Sequence, residues 1–251
     1  MALRIAHKAC DLPYLDSMPT ELTLRNFKAA LFDVDGTLVD SLQMLTNGLG
    51  DTYARYADRQ PTDEEIRGLI GIPLDKQLGM FSAVPPTEAE MSEMVAYTIE
   101  RYQAHEHLES VFPEALEMLR ICRALGIKTA LVTSKNSLEL SQFLARFSGA
   151  EYVDTAVCAS DVGLPKPDPE SAYLACARLE VEPHEAVMIG DSIFDIRCAR
   201  QAGVASVGVS YGSAPYDSMR AEQPDALFES PAALLDWARD LALELPCHER
   251  N

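Results

Sequence analysis

At 251 residues the chain is long enough to bury a sizeable core, either as one large domain or as a core with an insert. Apolar residues at 47% and charged ones at 24% are ordinary for a globular protein, and a formal charge of -18 opposes a nucleic-acid role, because phosphate backbones demand a positive surface. A small anionic ligand stays admissible where a metal ion and a few lysines reverse the field locally.

Residues 1–26 are expected to form a poorly structured leader of no assigned function, with Met18 as the natural start. Asp11, Pro13 and Asp16 stand where a signal peptide needs an apolar region. The six cysteines (Cys10, Cys122, Cys158, Cys176, Cys198 and Cys247) contain no CxxC pair and no dense framework, so a reducing, cytoplasmic setting is expected. No apolar run is long enough to span a membrane, and no membrane partner is expected.

In chain order, a strand is predicted over 28–32 (KAALF), leading into LFDVDGTLVDS at 31–41. Only helices follow, at 42–58, 62–69, 74–81 and 87–108, punctuated by Pro61, Pro73, Pro85 and Pro86. Thr62 with Glu65, and Thr87 with Glu90, have the spacing of capping boxes. Beyond residue 110 the pattern alternates: helix 113–125, strand 127–132, helix 137–147, strand 152–158, helix 169–180, strand 186–189, helix 193–202 and strand 204–209. Pro113 suits a first helical position and Gly126 a stop. Trp237 falls in a final amphipathic helix.

Continuous apolar strands separated by helices imply an α/β fold with a parallel sheet covered on both faces. The helical block after the first strand is read as an inserted α-helical cap domain over 42–110, with the core at 27–41 and 111–245. Extra helices packed on the core are the other reading.

The chemistry-bearing residues all follow predicted strands. Asp33 and Asp35 lie beyond 28–32, Thr133 and Ser134 beyond 127–132, and Asp191 and Asp195 in GDSIFD beyond 186–189. Lys166 stands in the proline-rich turn LPKPDP. In a parallel sheet these positions reach one carboxyl edge, where ligands of open α/β sheets gather. The set suits phosphoryl transfer. Asp33 and Asp191, with a backbone carbonyl, offer the hard oxygen ligands that Mg²⁺ prefers. Lys166 adds a point charge, and the Thr133 and Ser134 hydroxyls and amides can grip phosphoryl oxygens. A carboxylate can also serve as a covalent nucleophile.

DVDGT, the Thr133 position, the KPDP lysine and GDSIFD resemble the four motifs of the haloacid dehalogenase superfamily of hydrolases, in the right order, over about residues 27 to 214. The insert resembles the small helical cap of its phosphoglycolate phosphatase-like branch. The resemblance implies a Rossmann-like core and Mg²⁺ dependence. It makes Asp33 the nucleophile, and Asp35 the acid and base that also gives a carbonyl to the metal. Thr133 and Lys166 bind the phosphoryl group, Asp191 ligates Mg²⁺, and Asp195 supports that ligand from behind. Many close relatives carry Asn after the motif-two Thr, where this chain has Ser134, which still donates a hydrogen bond.

Asp35 separates the branches. An acid here favours a phosphatase or phosphomutase, because dehalogenases and phosphonoacetaldehyde hydrolases of the superfamily lack one at this position. The expected function is hydrolysis of a small phosphorylated metabolite, with phosphoglycolate leading. A β-phosphoglucomutase-like mutase and an inorganic pyrophosphatase are the alternatives. Arg67 is read either as a bidentate clamp for a carboxylate or second phosphate, or as an exposed helical arginine. Lys76 and Lys135 are expected to be solvated, and His105 and His107 to lie on the surface. Tyr211 and Gly212 either flank the site or form a simple turn. The oligomeric state is not legible.

Overall fold

The structure, a computed structural model, describes residues 22–239. Residues 1–21 of the expected leader, with Cys10 and Met18, lie outside the described residues, as do Cys247 and the expected core residues 240–245. The last part of that leader belongs to the packed molecule. Leu24–Asn26 form a 3-10 turn, Leu24 is wholly buried, and the Trp237 indole donates to the Leu22 carbonyl at 3.0 Å.

Strand β1 (Ala29–Phe32) is buried along its whole length, as a run of four apolar residues in mid-sheet requires. The chain then forms the two-residue strand β2 (Val39–Asp40) and four helices: α1 (Leu42–Tyr56), α2 (Asp63–Arg67), α3 (Leu74–Leu78) and α4 (Glu88–Ala104). Strand β3 (Ser110–Val111) pairs antiparallel with β2, Val39 opposite Val111, so the two crossings into and out of the helical segment run side by side. Beyond it come α5 (Pro113–Leu125), β4 (Lys128–Val132), α6 (Ser137–Arg146), β5 (Thr155–Val157), α7 (Glu170–Leu179), β6 (Ala186–Gly190), α8 (Ile193–Ala202), β7 (Ala205–Val209), α9 (Tyr216–Ala221), β8 (Ala226–Phe228) and α10 (Pro231–Arg239).

The main sheet has six strands in the order β5-β4-β1-β6-β7-β8, every pairing parallel. Alternation along the strands splits the core into two layers. Ala30, Phe32, Leu131 and Ile189 face a cluster with Met118 and Leu119 of α5 and Leu234 of α10. Ala29, Leu31, Val132 and Met188 face Ala172 and Cys176 of α7 and Cys198 of α8. The α/β class and the mostly parallel, helix-covered sheet are therefore as expected.

Helices α1 to α4 bury a cluster of their own that includes Leu49, Tyr53, Ile66, Leu78, Met94 and Tyr102. Gly48 lets α1 and α4 close together, since a Cβ there would lie 2.4 Å from the Tyr102 ring. Both capping boxes form, with Thr62 accepting from the Glu65 amide and Thr87 from the Glu90 amide. Each such cap contributes about 1 kcal/mol. His105, expected at the surface, is half-buried and bonds Asp51 at 2.9 Å beside Arg101; His107 is exposed. Among the described residues, no helix is long and apolar enough to cross a membrane.

Candidate active site

The sheet carries the polar residues to its carboxyl edge by continuing its ladder one residue past each strand. The Asp33 amide donates to the Ile189 carbonyl at 2.9 Å, and the Thr133 amide to the Val157 carbonyl at 3.0 Å. Beyond Asp33 the chain turns sharply. Gly36 takes a left-handed φ of 71° and its amide donates to the Val39 carbonyl at 2.8 Å, which holds Asp35 above the edge. Asp191 follows β6 directly, and Ser192 caps α8 by accepting from the Asp195 amide.

Lys166 reaches this edge from the loop between β5 and α7. It is only 4% exposed and its ammonium is held on three sides: by Asp195 at 2.6 Å, Asp33 at 3.0 Å and the Val132 carbonyl at 3.0 Å. Burial disfavours that ammonium, but Asp195 and Asp33 outweigh burial and hold it above lysine's ordinary range. The same burial pushes the Asp33 carboxyl well above the usual carboxylate range; Lys166 pulls it down, while Asp195, Asp191 and Asp35 push it further up. Asp191 is raised by burial and then by Asp195, against the Ser213 amide that donates to it.

Three buried carboxylates thus share one buried ammonium. Ligand oxygens of Asp33, Asp191 and Asp195 lie within 4.8 Å of one another, and the excess negative charge suits a divalent cation. Asp195 is the least free of the three, with one oxygen on Lys166 and the other accepting from the Ser192 amide and hydroxyl. Asp33 and Asp191 are the better donors. The backbone has been cleared for Asp191: a Cβ at either Gly36 or Gly212 would lie 2.2 Å from its Oδ2. Tyr211 beside it donates to the Thr37 carbonyl at 3.2 Å, so this late turn closes over the DVDGT loop.

Of the residues singled out in the sequence, Asp33, Asp35, Thr133, Ser134 and Asp191 line a single cavity, with Lys166 and Asp195 buried beneath it. The opposite wall comes from α1, α3, α4 and the loop at Gly71. Ser134 joins the two walls, its hydroxyl donating to the Gly71 carbonyl at 2.7 Å. Arg67 is not part of this cavity. It is exposed at the end of α2 and lines a separate depression with Ser192, Phe194 and Pro215. Lys76 is exposed beside Asp75.

Lys135 departs from the reading of a solvated lysine. It is 7% exposed, lines the cavity, and its ammonium lies 2.7 Å from Asp35, whose other oxygen accepts from the Ser41 hydroxyl at 2.7 Å. Burial works against the Lys135 charge, but Asp35 and Glu139 overcome it. A lysine two places after the motif-two Thr, with acids at 35 and 139, was the available signal.

The family model described as haloacid dehalogenase-like hydrolase matches residues 30–209. The chain is 30% identical to the pyrophosphatase PpaX of Bacillus velezensis over 215 residues, covering 85% of this chain and 97% of that protein. It is 29% identical to the phosphoglycolate phosphatase of Salmonella paratyphi A, covering 91% and 96% respectively. Among solved structures it is similar to a hydrolase of Pseudomonas syringae, with a TM-score of 0.75 at 21% identity over 86% of this chain and 99% of that one; this likeness concerns the fold.

Proposed function

The chain belongs to the haloacid dehalogenase-like hydrolase family, and from that premise we propose that it is a Mg²⁺-dependent phosphatase that hydrolyses a small phosphorylated metabolite through an aspartyl-phosphate. The observation that carries this reading is the Asp33 carboxylate held 3.0 Å from the buried Lys166 ammonium, with Asp191 alongside. A carboxylate so placed is fixed in orientation and has a cation beside it to offset a phosphoryl group's charge.

In this mechanism an Asp33 oxygen attacks phosphorus, the new O–P bond forms, and the bond to the leaving oxygen breaks. Asp35 gives its proton to the departing alkoxide, so no strong base has to leave. It then takes a proton from the water that attacks the phosphorylated Asp33, which releases phosphate and restores the carboxylate. Thr133 and Ser134 hold phosphoryl oxygens, and Lys166 balances charge on the nucleophile and on the transferred group. Mg²⁺, held by Asp33, Asp191 and the Asp35 carbonyl, would supply Lewis-acid stabilisation of the phosphoryl oxygens. Asp195 serves by fixing Lys166. The α1 to α4 unit acts as the cap that excludes bulk water.

Phosphoglycolate and pyrophosphate enter as substrate readings through the names of the two relatives above, and a phosphomutase is the rival within the same chemistry. Among the described residues, Cys122, Cys158, Cys176 and Cys198 are buried and free, which supports a reducing, cytoplasmic setting. The direct test is p-nitrophenyl phosphate hydrolysis with and without Mg²⁺. Turnover should need the metal and vanish with chelator. Metal-independent turnover would remove this proposal, and a mutase would release little phosphate without a bisphosphate primer. Asp35→Asn should slow hydrolysis of alkyl phosphates by about 10²–10⁴-fold. Unchanged rates with such poor leaving groups would rule out the acid–base role.

A further inference from the structure

The cavity over Asp33 also constrains what is attached to the phosphate. Its wall from the helical unit is apolar at Leu45, Leu49, Ile70 and Leu74. Beyond the carboxylates at the sheet edge, its charged lining among the described residues is Lys135 and Glu139. Lys135 is already committed, 2.7 Å from Asp35, and Glu139 adds a second carboxylate to its field. A substrate carboxylate or second phosphate would therefore meet two acids and no uncommitted cation. Burying a charge without a partner is costly. Arg67, the cation read from the sequence as a clamp for such a group, lines a different depression.

The neutral lining points the same way. Gln77 is 7% exposed and lines the cavity. Its amide nitrogen donates to the Ile72 carbonyl at 2.5 Å, which fixes the orientation of the amide. Its Oε1 is buried with no hydrogen-bond partner. A buried acceptor in that state lacks a donor, and a hydroxyl is a neutral group that supplies one. Glu139, from α6 on the sheet side of the same cavity, is a second acceptor.

Resting on the phosphatase reading, we infer that the substrate is the phosphate monoester of a neutral, hydroxyl-bearing alcohol, a polyol or small sugar, and not of an acid or a second phosphate. The apolar wall takes the carbon chain. Gln77 and Glu139 accept from its hydroxyls. Lys135 stays on Asp35 as a positioning residue. The void measures about 30 Å³, space for a water or two, so the cavity must widen to admit a substrate.

A matched pair tests this: sn-glycerol 3-phosphate against 3-phosphoglycerate, which differ by a hydroxymethyl group in place of a carboxylate. Both are assayed with the full chain and Mg²⁺, beside 2-phosphoglycolate, pyrophosphate and p-nitrophenyl phosphate. We expect kcat/KM for glycerol phosphate to exceed that of each anionic substrate by about ten-fold or more. Glu139→Gln, which keeps an acceptor for the Asn136 amide that the Glu139 side chain takes at the start of α6, should narrow that ratio by raising the anionic substrates. A ratio of one or below, or a ratio indifferent to Glu139→Gln, overturns the inference while p-nitrophenyl phosphate turnover keeps the phosphatase reading. Loss of turnover with every ester, the aryl one included, overturns both.

Discussion

Replacing Asp33 with asparagine is expected to lower turnover by roughly 10⁴-fold or more, the scale at which loss of a covalent nucleophile registers. The exchange is nearly isosteric, so the cavity keeps its shape. It also removes one of three carboxylates crowded within 4.8 Å, a charge that burial already disfavours. Lys166 keeps Asp195 at 2.6 Å and the Val132 carbonyl. Thermal stability should therefore hold or rise while activity disappears, and no phosphoryl group should be trapped on the protein after mixing with labelled substrate. Turnover within ten-fold of the parent, or a labelled variant, would exclude Asp33 as the attacking group.

The second large effect concerns Lys166→Met, which should damage both folding and chemistry. Methionine fills similar volume but leaves Asp33, Asp191 and Asp195 buried without the ammonium that joins two of them. Breaking a buried ion pair by deleting one partner costs about 3–5 kcal/mol, because the remaining charge stays in a poor dielectric. In metal-free buffer the melting temperature should fall by several degrees, and added Mg²⁺ should raise it more in the variant than in the parent. Activity should be lost at all metal concentrations, since the metal does not replace the contact to Asp33. A variant that melts with the parent in chelator would show that the three carboxylates are relieved by something other than Lys166.

Local signals explain what the sequence makes readable. Helices α5 and α8 fall on the predicted 113–125 and 193–202 because their ends are written in short-range code: Pro113 with Gly126, and Ser192 with Gly203. The capping boxes at Thr62 and Thr87 are legible for the same reason. The two-residue β2–β3 ladder carries no periodicity, and its partners are some 70 residues apart, so nothing local announces it. The predicted strand 152–158 shrinks to Thr155–Val157, because a 3-10 turn ends at Tyr152 and Asp154 uses its side chain to accept from the Thr129 amide.

The site divides along the same line. The positions of Asp33, Thr133 and Asp191 follow from strand ends, which sequence patterns locate. Burial of Lys135 does not, because it depends on an acid 100 positions earlier meeting it across the cavity. For Arg67 the sequence leaves two readings, a clamp or an exposed helical arginine, because which face of the five-residue α2 meets the core is set by packing around Ile66 and not by any run of residues; the structure places Arg67 exposed.

The place of β1 in the sheet also governs when this molecule can become complete during synthesis. Its two neighbours begin at Lys128 and Ala186, so the segment bearing Asp33 is translated long before either flank exists. Such non-local pairing is slow to close, and a domain of this kind docks only when its last central strand is available. Ribosome-stalled chains that end near residue 170 should leave the first strand open to protease, while chains extended past β6, with enough length to clear the exit tunnel, should protect it. Protection in the shorter chains would mean that β1 first finds shelter against something other than its final neighbours.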